Sequence, residues 1–227
     1  MEIQLIKKKE ALDFFAKYEH LGNCGLGVWH YGMFNEGQLM SVVSFGSTSF
    51  NPQRSSIAMI ASKYKVKIIQ LTRGGTRFDA PKNTASKAVS LAIKEIKKRF
   101  GNTIIVAYSD TRWNEIGTIY QATNFLYMGQ TVPKGQANYV INGHKMSGWT
   151  VRKKYHTRSM EELKKIDEHV QRILLTPKHM YLYINTSKHI KQKIFSELQT
   201  LTMTYPKRSD FDIGSMMDIW KSKELIR

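Results

Sequence analysis

The sequence has one cysteine, Cys24, in 227 residues. A single thiol cannot close an internal disulfide, which fits a reducing cytosol. No Cys/His set has the spacing of a zinc site. No apolar run nears the ~18 residues that cross a bilayer. The N-terminus runs straight into an amphipathic pattern, so no signal peptide is expected. A soluble, intracellular protein without membrane contact follows as the expectation. Acidic residues are also scarce, 18 Asp and Glu against 35 Lys and Arg, a net charge of +17. The excess is spread along the chain: residues 1–150 hold 19 basic and 9 acidic side chains, residues 151–227 hold 16 and 9. Such a chain attracts polyanions, chiefly nucleic acid; a solubility surface or an affinity for acidic membranes are the alternatives. Internal repeats and low-complexity tracts are absent.

The length suits one sizeable domain, or a domain with an appendage, with a core that needs no staples. Residues 2–6 alternate as a short strand, and residues 9–18 place Ala11, Leu12, Phe14, Phe15 and Tyr18 at helical spacing. A glycine-rich loop, 21–27, follows. No strand leads into it and no helix leaves it, so it is not a dinucleotide fingerprint. Residues 28–34 and 38–45 form a hairpin around Asn35-Glu36-Gly37. Residues 47–62 read as a polar, irregular loop with Arg54 as an anion candidate. A strand over 64–72 precedes the Arg73–Asn83 loop. Asn83 reads as the N-cap of a helix running to about Phe100, with Ala85, Ala88, Val89, Ala92, Ile93 and Ile96 on one stripe. Lys97, Lys98 and Arg99 suit its C-terminal dipole.

The most distinctive stretch is 102–130. Residues 103–108 are apolar and β-branched, as in a central strand covered on both faces. The strand ends in Ser109 and Asp110, where open α/β sheets place ligands. A helix from about Gly117 would put Tyr120 and Asn124 on one face. Ser109, Asp110, Tyr120 and Asn124 would then converge on one cleft. The alternative is structural: Asp110 caps the loop and Tyr120 packs. Farther on, residues 137–141 and 144–151 flank Asn142-Gly143 as a second hairpin. Arg152, Lys153, Lys154 and Arg158, with aromatics between them, suit phosphate contact or a solvated linker. Ser159 and Glu162 spell a capping box. A strand over 180–184, a basic helix over 187–198 and a loosely held tail after Pro206 complete the pattern.

The segment IYQATNF resembles the tyrosine-bearing helix of GNAT-type acyltransferases. Three blocks resemble the Mom-like family of bacteriophage DNA-modification proteins: YEHLGNCGLGVWHYGMFNEGQLMSVVSFGS, QLTRGGTRFDAPKNTASKAVSLAIK and AYSDTRWNEIGTIYQATNFLYMG. Together they cover most of residues 18–130. The resemblance implies a GNAT-related enzyme that attaches a small acyl or carbamoylmethyl-type group to the exocyclic amine of adenine in double-stranded phage DNA. That modification blocks restriction, and the host cytoplasm is where it would occur. It implies an α/β (α+β) fold, a GNAT-like mixed central sheet flanked by helices. Residues 1–151 would be the catalytic domain, and 152–227 a small basic C-terminal extension packed on the same core and contacting DNA.

The resemblance also assigns roles. Asp110 would take the proton of the amine and Tyr120 would protonate a leaving group. Asn124 would orient the donor or a base edge, with Ser109 beside them and His20 as a base, or as a ligand if iron takes part. Arg73, Asn83 and Ser86 match the middle block, and Arg77 matches the arginine of the turn that holds the pyrophosphate of acyl-CoA. The glycines of that turn are missing here and Pro81 removes an amide. The donor is therefore acetyl-CoA or another small-group donor. Tyr108, Trp113 and Trp29 would stack on an extruded base, with Arg112 and the 152–158 cluster on the phosphates. Asn114 takes the place of a histidine expected in this loop. Rival readings are an acetyl-CoA-dependent N-acetyltransferase acting on a protein or small molecule, and a non-catalytic basic DNA-binding protein.

Overall fold

The computed structural model describes residues 1–48, 55–113, 115–131, 136–207 and 209. In chain order the elements begin with β1 (Glu2–Ile6), α1 (Lys8–Tyr18), β2 (Trp29–Asn35), β3 (Gln38–Gly46) and α2 (Ser56–Lys63). Next come β4 (Lys67–Thr76), α3 (Thr84–Phe100), β5 (Thr103–Asp110), α4 (Thr118–Ala122) and β6 (Leu126–Gln130). The chain continues through β7 (Ala137–Ile141), β8 (His144–Ser147), α5 (Gly148–Tyr155) and α6 (Met160–Lys164). It ends with β9 (Gln171–Leu174), β10 (Lys178–Asn185) and α7 (Lys188–Leu198).

Seven strands form the central sheet in the order β1-β2-β3-β4-β5-β10-β6. Among the described strands of this sheet only β4 and β5 run parallel; the other pairings are antiparallel. The fold is thus a mixed α/β one, a mostly antiparallel sheet flanked by helices. Strand alternation divides its core. Ile69, Leu71, Ile105, Ala107 and Tyr181 pack under α3 through Ala88, Val89, Ala92, Ile93 and Ile96. On the other face Ile104, Val106, Leu182 and Ile184 meet α2 and α7, and Val42 meets α1. Burying each such branched side chain contributes about 1.5–3 kcal/mol.

The boundary expected at 151 falls inside α5, and β10 lies in the middle of the central sheet, between β5 and β6. What stands apart is an insert between β6 and β10. There β8-β7-β9 form a second sheet, with its own core of Ala137, Tyr139, Ile141, Val151, Leu163 and Val170.

Other expectations shift. Residues 56–62 of the presumed 47–62 loop belong to a helix, α2, because Ile57, Ala58, Ile60 and Ala61 supply a buried stripe. The second hairpin ends at Ser147, whose side chain caps α5 by accepting from the Thr150 amide at 3.1 Å. The Ser159 side chain makes no cap bond to α6. Arg54 and the tail beyond 209 lie outside the described residues.

Candidate active site

The β4–β5 ladder runs only from Lys67–Thr103 to Gln70–Val106. Beyond it β4 continues to Thr76, paired to β3, and β5 to Asp110, paired to β10. The two strands part at their C-terminal ends, and a cleft opens between them. One local irregularity decides which side chain lines it. Ser44 pairs with Arg73 but Phe45 pairs with Leu71, so Thr72 is an extra residue. Such a bulge reverses the alternation downstream. Leu71 points to the α3 core, whereas Arg73 points to the face that carries α1 and the glycine-rich loop.

That loop forms one wall. The Glu19 carboxylate accepts from the Leu21 and Gly22 amides at 2.8 and 2.9 Å and pairs with His20 Nδ1 at 3.2 Å. Asn23 Oδ1 accepts from the Gly25 amide at 2.8 Å and from Arg73 Nη2 at 3.3 Å. Arg73 Nη1 also donates to its neighbour's carbonyl, that of Thr72, at 2.9 Å, while its Nε is buried without a partner. Gly46 is required beneath this loop: a Cβ there would lie 2.1 Å from the Leu26 carbonyl oxygen. Beside Arg73, His30 Nδ1 and Ser44 Oγ are 2.7 Å apart and fully covered. Burial holds the His30 imidazole below its ordinary pKa, with the Lys8 charge adding to the effect.

The opposite wall follows β5. Asp110 is bound by Arg112, which donates from Nε at 3.0 Å and from Nη2 at 2.6 Å, and Lys178 Nζ lies 3.7 Å away. Burial pushes this carboxyl up, but the hydrogen bonds from Arg112 and the Lys178 and Arg112 charges together carry it below its ordinary value. Glu115 stands in the contrary state. Burial raises its pKa, as do the Asp110 and Glu19 charges; the Asp110 amide, which donates to it at 3.4 Å, and His20 act the other way. Tyr120 packs against the Phe125 and Tyr181 rings, each 5.3 Å between centroids. Burial and then the Glu115 charge raise its phenol pKa, and Arg73 opposes them. Arg73, Glu115, Tyr120, His20 and Glu19 are therefore linked by the fields they exert on one another.

Glu115 is held by the backbone that follows it. The Ile116 carbonyl accepts from the Tyr181 hydroxyl and from Gln121 Nε2 at 2.9 Å. Gly117 then turns left-handed at φ 68° over the Tyr181 ring, where a Cβ would sit 2.4 Å from a ring carbon. Only glycine meets both demands.

Not every expected residue joins this cleft. Ser109 faces the α3 side, opposite Asp110, with its buried Oγ unpartnered. α4 ends at Ala122, so Asn124 does not share a helical face with Tyr120. It is exposed at φ 59°, where asparagine is tolerated. It lines a groove of about 540 Å3 with Lys94, Lys97, Lys98, Tyr183 and Asn185. That groove sits at the Thr103 end of the sheet, since Asn185 pairs with Thr103 while Lys178 pairs with Asp110. Tyr108 is partly buried against the α2 and α7 cluster, and burial pushes its hydroxyl up to about 12. Trp29 meets Phe100 edge to face at 4.6 Å between centroids, near Lys67. Trp113 does border the site, with its ring 5.0 Å from His20. Asn114 lies outside the described residues.

The turn into α3 does not fit a pyrophosphate. Arg77 is occupied by Asp79, donating at 2.8 and 2.6 Å, and that carboxylate would repel phosphate. Pro81 has no amide, the Thr84 amide is spent on the Pro81 carbonyl, and Asn83 is left-handed at φ 67° with no side-chain cap bond. Ser86 Oγ donates to the Asn83 carbonyl at 3.0 Å. Among the described residues no three His, Cys, Asp or Glu side chains converge as metal ligands. Arg152, Lys153 and Lys154 lie on α5, and Arg158 follows it.

Reading the sequence missed Glu115, Glu19, His30 and Ser44. Glu115 carries a local signal, a carboxylate two residues before a glycine in a helix-opening loop. His30 and Ser44 sit at alternating positions of apolar strands, a pattern equally typical of core polar pairs.

No helix among the described residues is long and apolar enough to cross a membrane. The fold is similar to an acetyltransferase of Bacillus subtilis solved with CoA, at 11% identity and a TM-score of 0.45. That likeness covers 81% of this chain and 97% of the other. The ribosomal-protein-S5-alanine acetyltransferase of Vibrio fischeri aligns at 13% identity and a TM-score of 0.44, over 82% and 93%. In sequence, the methylcarbamoylase mom of Escherichia phage Mu is 29% identical over 101 residues, 44% of this chain and 41% of that protein. The match thus spans less than half of that relative. Residues 1–207 match the Mom protein family, and by that coverage this chain belongs to it.

Proposed function

We propose that the chain is a transferase that places a small acyl-type group on an exocyclic amine of a DNA base, adenine N6 in the first instance, and so shields phage DNA from restriction. Membership of the Mom protein family supports the reaction class, and the net charge of +17 supports a polyanionic substrate. The single observation that carries the reading is the parting of β4 and β5. It leaves Arg73 and the Glu115–Tyr120 pair around one opening.

The roles follow from electrostatics. An exocyclic amine is a poor nucleophile, and its N–H bond must break as the new N–C bond forms. Glu115, with its raised pKa, is the better proton acceptor, because proton transfer is favoured by a group titrating nearer the working pH. Asp110 is held ionised by Arg112 and Lys178 and serves to fix the loop. The raised pKa of Tyr120 keeps its hydroxyl protonated, able to give a proton to the departing group of the donor. Arg73, half-satisfied, is placed to hold the donor's oxygen. The poor fit of the α3 turn to a pyrophosphate argues against an ordinary CoA-dependent acetyltransferase.

The test is protection. Plasmid DNA from bacteria expressing the chain should resist endonucleases whose sites contain adenine, and plasmid from Glu115→Gln or Tyr120→Phe cells should be cut. Full cutting of wild-type plasmid, with soluble protein present and the phage's own small-molecule supply provided, would remove the reading.

A further inference from the structure

The insert between β6 and β10 grows from the reactive end of the sheet. Its two roots are joined to each other where the Leu175 amide donates to the Gln136 carbonyl at 2.9 Å. They are joined to the sheet where the Lys178 amide donates to Thr131 Oγ1 at 3.0 Å. Thr111 Oγ1, one residue past Asp110, donates to the Pro177 carbonyl at 2.7 Å. The insert therefore springs from the same strand end that carries Asp110.

On it, α5 is anchored by Val151, which is wholly buried, and by Gly148, where a Cβ would lie 2.9 Å from the Ala137 carbonyl oxygen. The helix turns a large indole outward. Trp149 is 71% exposed, and its ring is approached only by the Lys153 ammonium, at 5.3 Å from its centroid, among the ring contacts described. Packing gives no reason for an indole here, since Val151 already seats the helix. Arg152, Lys153 and Lys154 follow in the same helix, and its first turn has no acidic residue. An exposed aromatic plane among cations suits stacking on a base whose phosphates the cations hold.

A base amine engaged in a Watson–Crick pair cannot reach a catalytic cleft, so the target must leave the stack. Extrusion exposes the faces of neighbouring bases. We infer that Trp149 stacks on a nucleobase laid bare in the opened duplex, with the α5 cations on the adjacent phosphates. This rests on the DNA reading above.

The test measures equilibrium binding of the full chain to two duplexes of equal length, one fully paired and one with a single mismatched adenine. Wild type should prefer the mismatched duplex. Trp149→Ala should weaken binding to that duplex by about tenfold, within the worth of one base–aromatic stack. It should leave the fully paired duplex within about twofold, because the phosphate contacts are untouched. Trp149→Phe should keep most of the preference. The exposed position leaves folding intact, checked by an unchanged Tm. Trp149→Ala binding both duplexes as wild type does, or weakening on both equally, overturns the stacking role alone. Wild type binding neither duplex overturns it together with the DNA reading.

Discussion

Asp110 and Glu115 are five positions apart in the chain and opposite in character. The first is gripped by Arg112 and Lys178 and titrates low; the second is raised by burial and by two neighbouring carboxylates. The sequence alone favours Asp110, since it ends the strand. It cannot show that Arg112 folds back two residues to neutralise it, because that contact depends on the 3-10 turn over Thr111–Trp113. Glu115→Gln should abolish transfer while leaving DNA binding intact. In wild type the rate should rise with pH through a pKa above the ordinary ~4.3 of glutamate, a limb read from a pH–rate profile. The same residue carries a stability consequence. A carboxyl whose folded pKa is raised favours folding below its unfolded pKa, and that advantage is lost as pH rises through the folded value. At neutral pH the Gln variant should therefore melt higher than wild type, by about 2–4 °C for each kcal/mol recovered. Asp110 has the reverse sign: its lowered pKa favours folding above the unfolded value, and the advantage fades toward acid. Asp110→Asn should lower the neutral-pH Tm.

At the scale of elements, most helices and strands are legible because their apolar spacing is regular. The α3 stripe and the apolar run of β5 are the clearest cases. The errors have local physical causes. α4 stops after five residues because the chain turns left-handed at Asn124, so a spacing argument over one more turn fails. Asn83, a natural cap by residue type, adopts a left-handed angle and makes no side-chain cap bond. The bulge at Thr72 leaves no mark in composition, yet it directs Arg73 to the cleft. Gly117 is the element-scale position most open to test. Alanine there meets both a left-handed backbone and the Tyr181 ring. Strain of the first kind costs on the order of 1–3 kcal/mol. Gly117→Ala should lower Tm and also suppress transfer, since the Ile116 carbonyl that seats Glu115 would shift; urea unfolding and activity assays check the two effects.

Across the molecule, the sheet is completed by a strand from the far end of the sequence. β10 separates β5 from β6 and carries Lys178 to Asp110, which no local pattern could reveal. The basic C-terminal third reads in sequence as an appendage, whereas the structure divides its described part between the insert and a strand of the central sheet. The insert that carries α5 and its three cations is thus rooted at the strand end that bears Asp110. Replacing Arg152, Lys153 and Lys154 by glutamine should reduce the slope of log affinity for duplex DNA against log salt by about 0.9 for each phosphate no longer neutralised. The most direct measurement of the central claim is mass spectrometry of nucleosides digested from plasmid DNA of expressing bacteria. The account predicts a heavier deoxyadenosine species in wild type that vanishes in Glu115→Gln. An unmodified adenine pool in wild type, or a modification that survives Glu115→Gln undiminished, would contradict it.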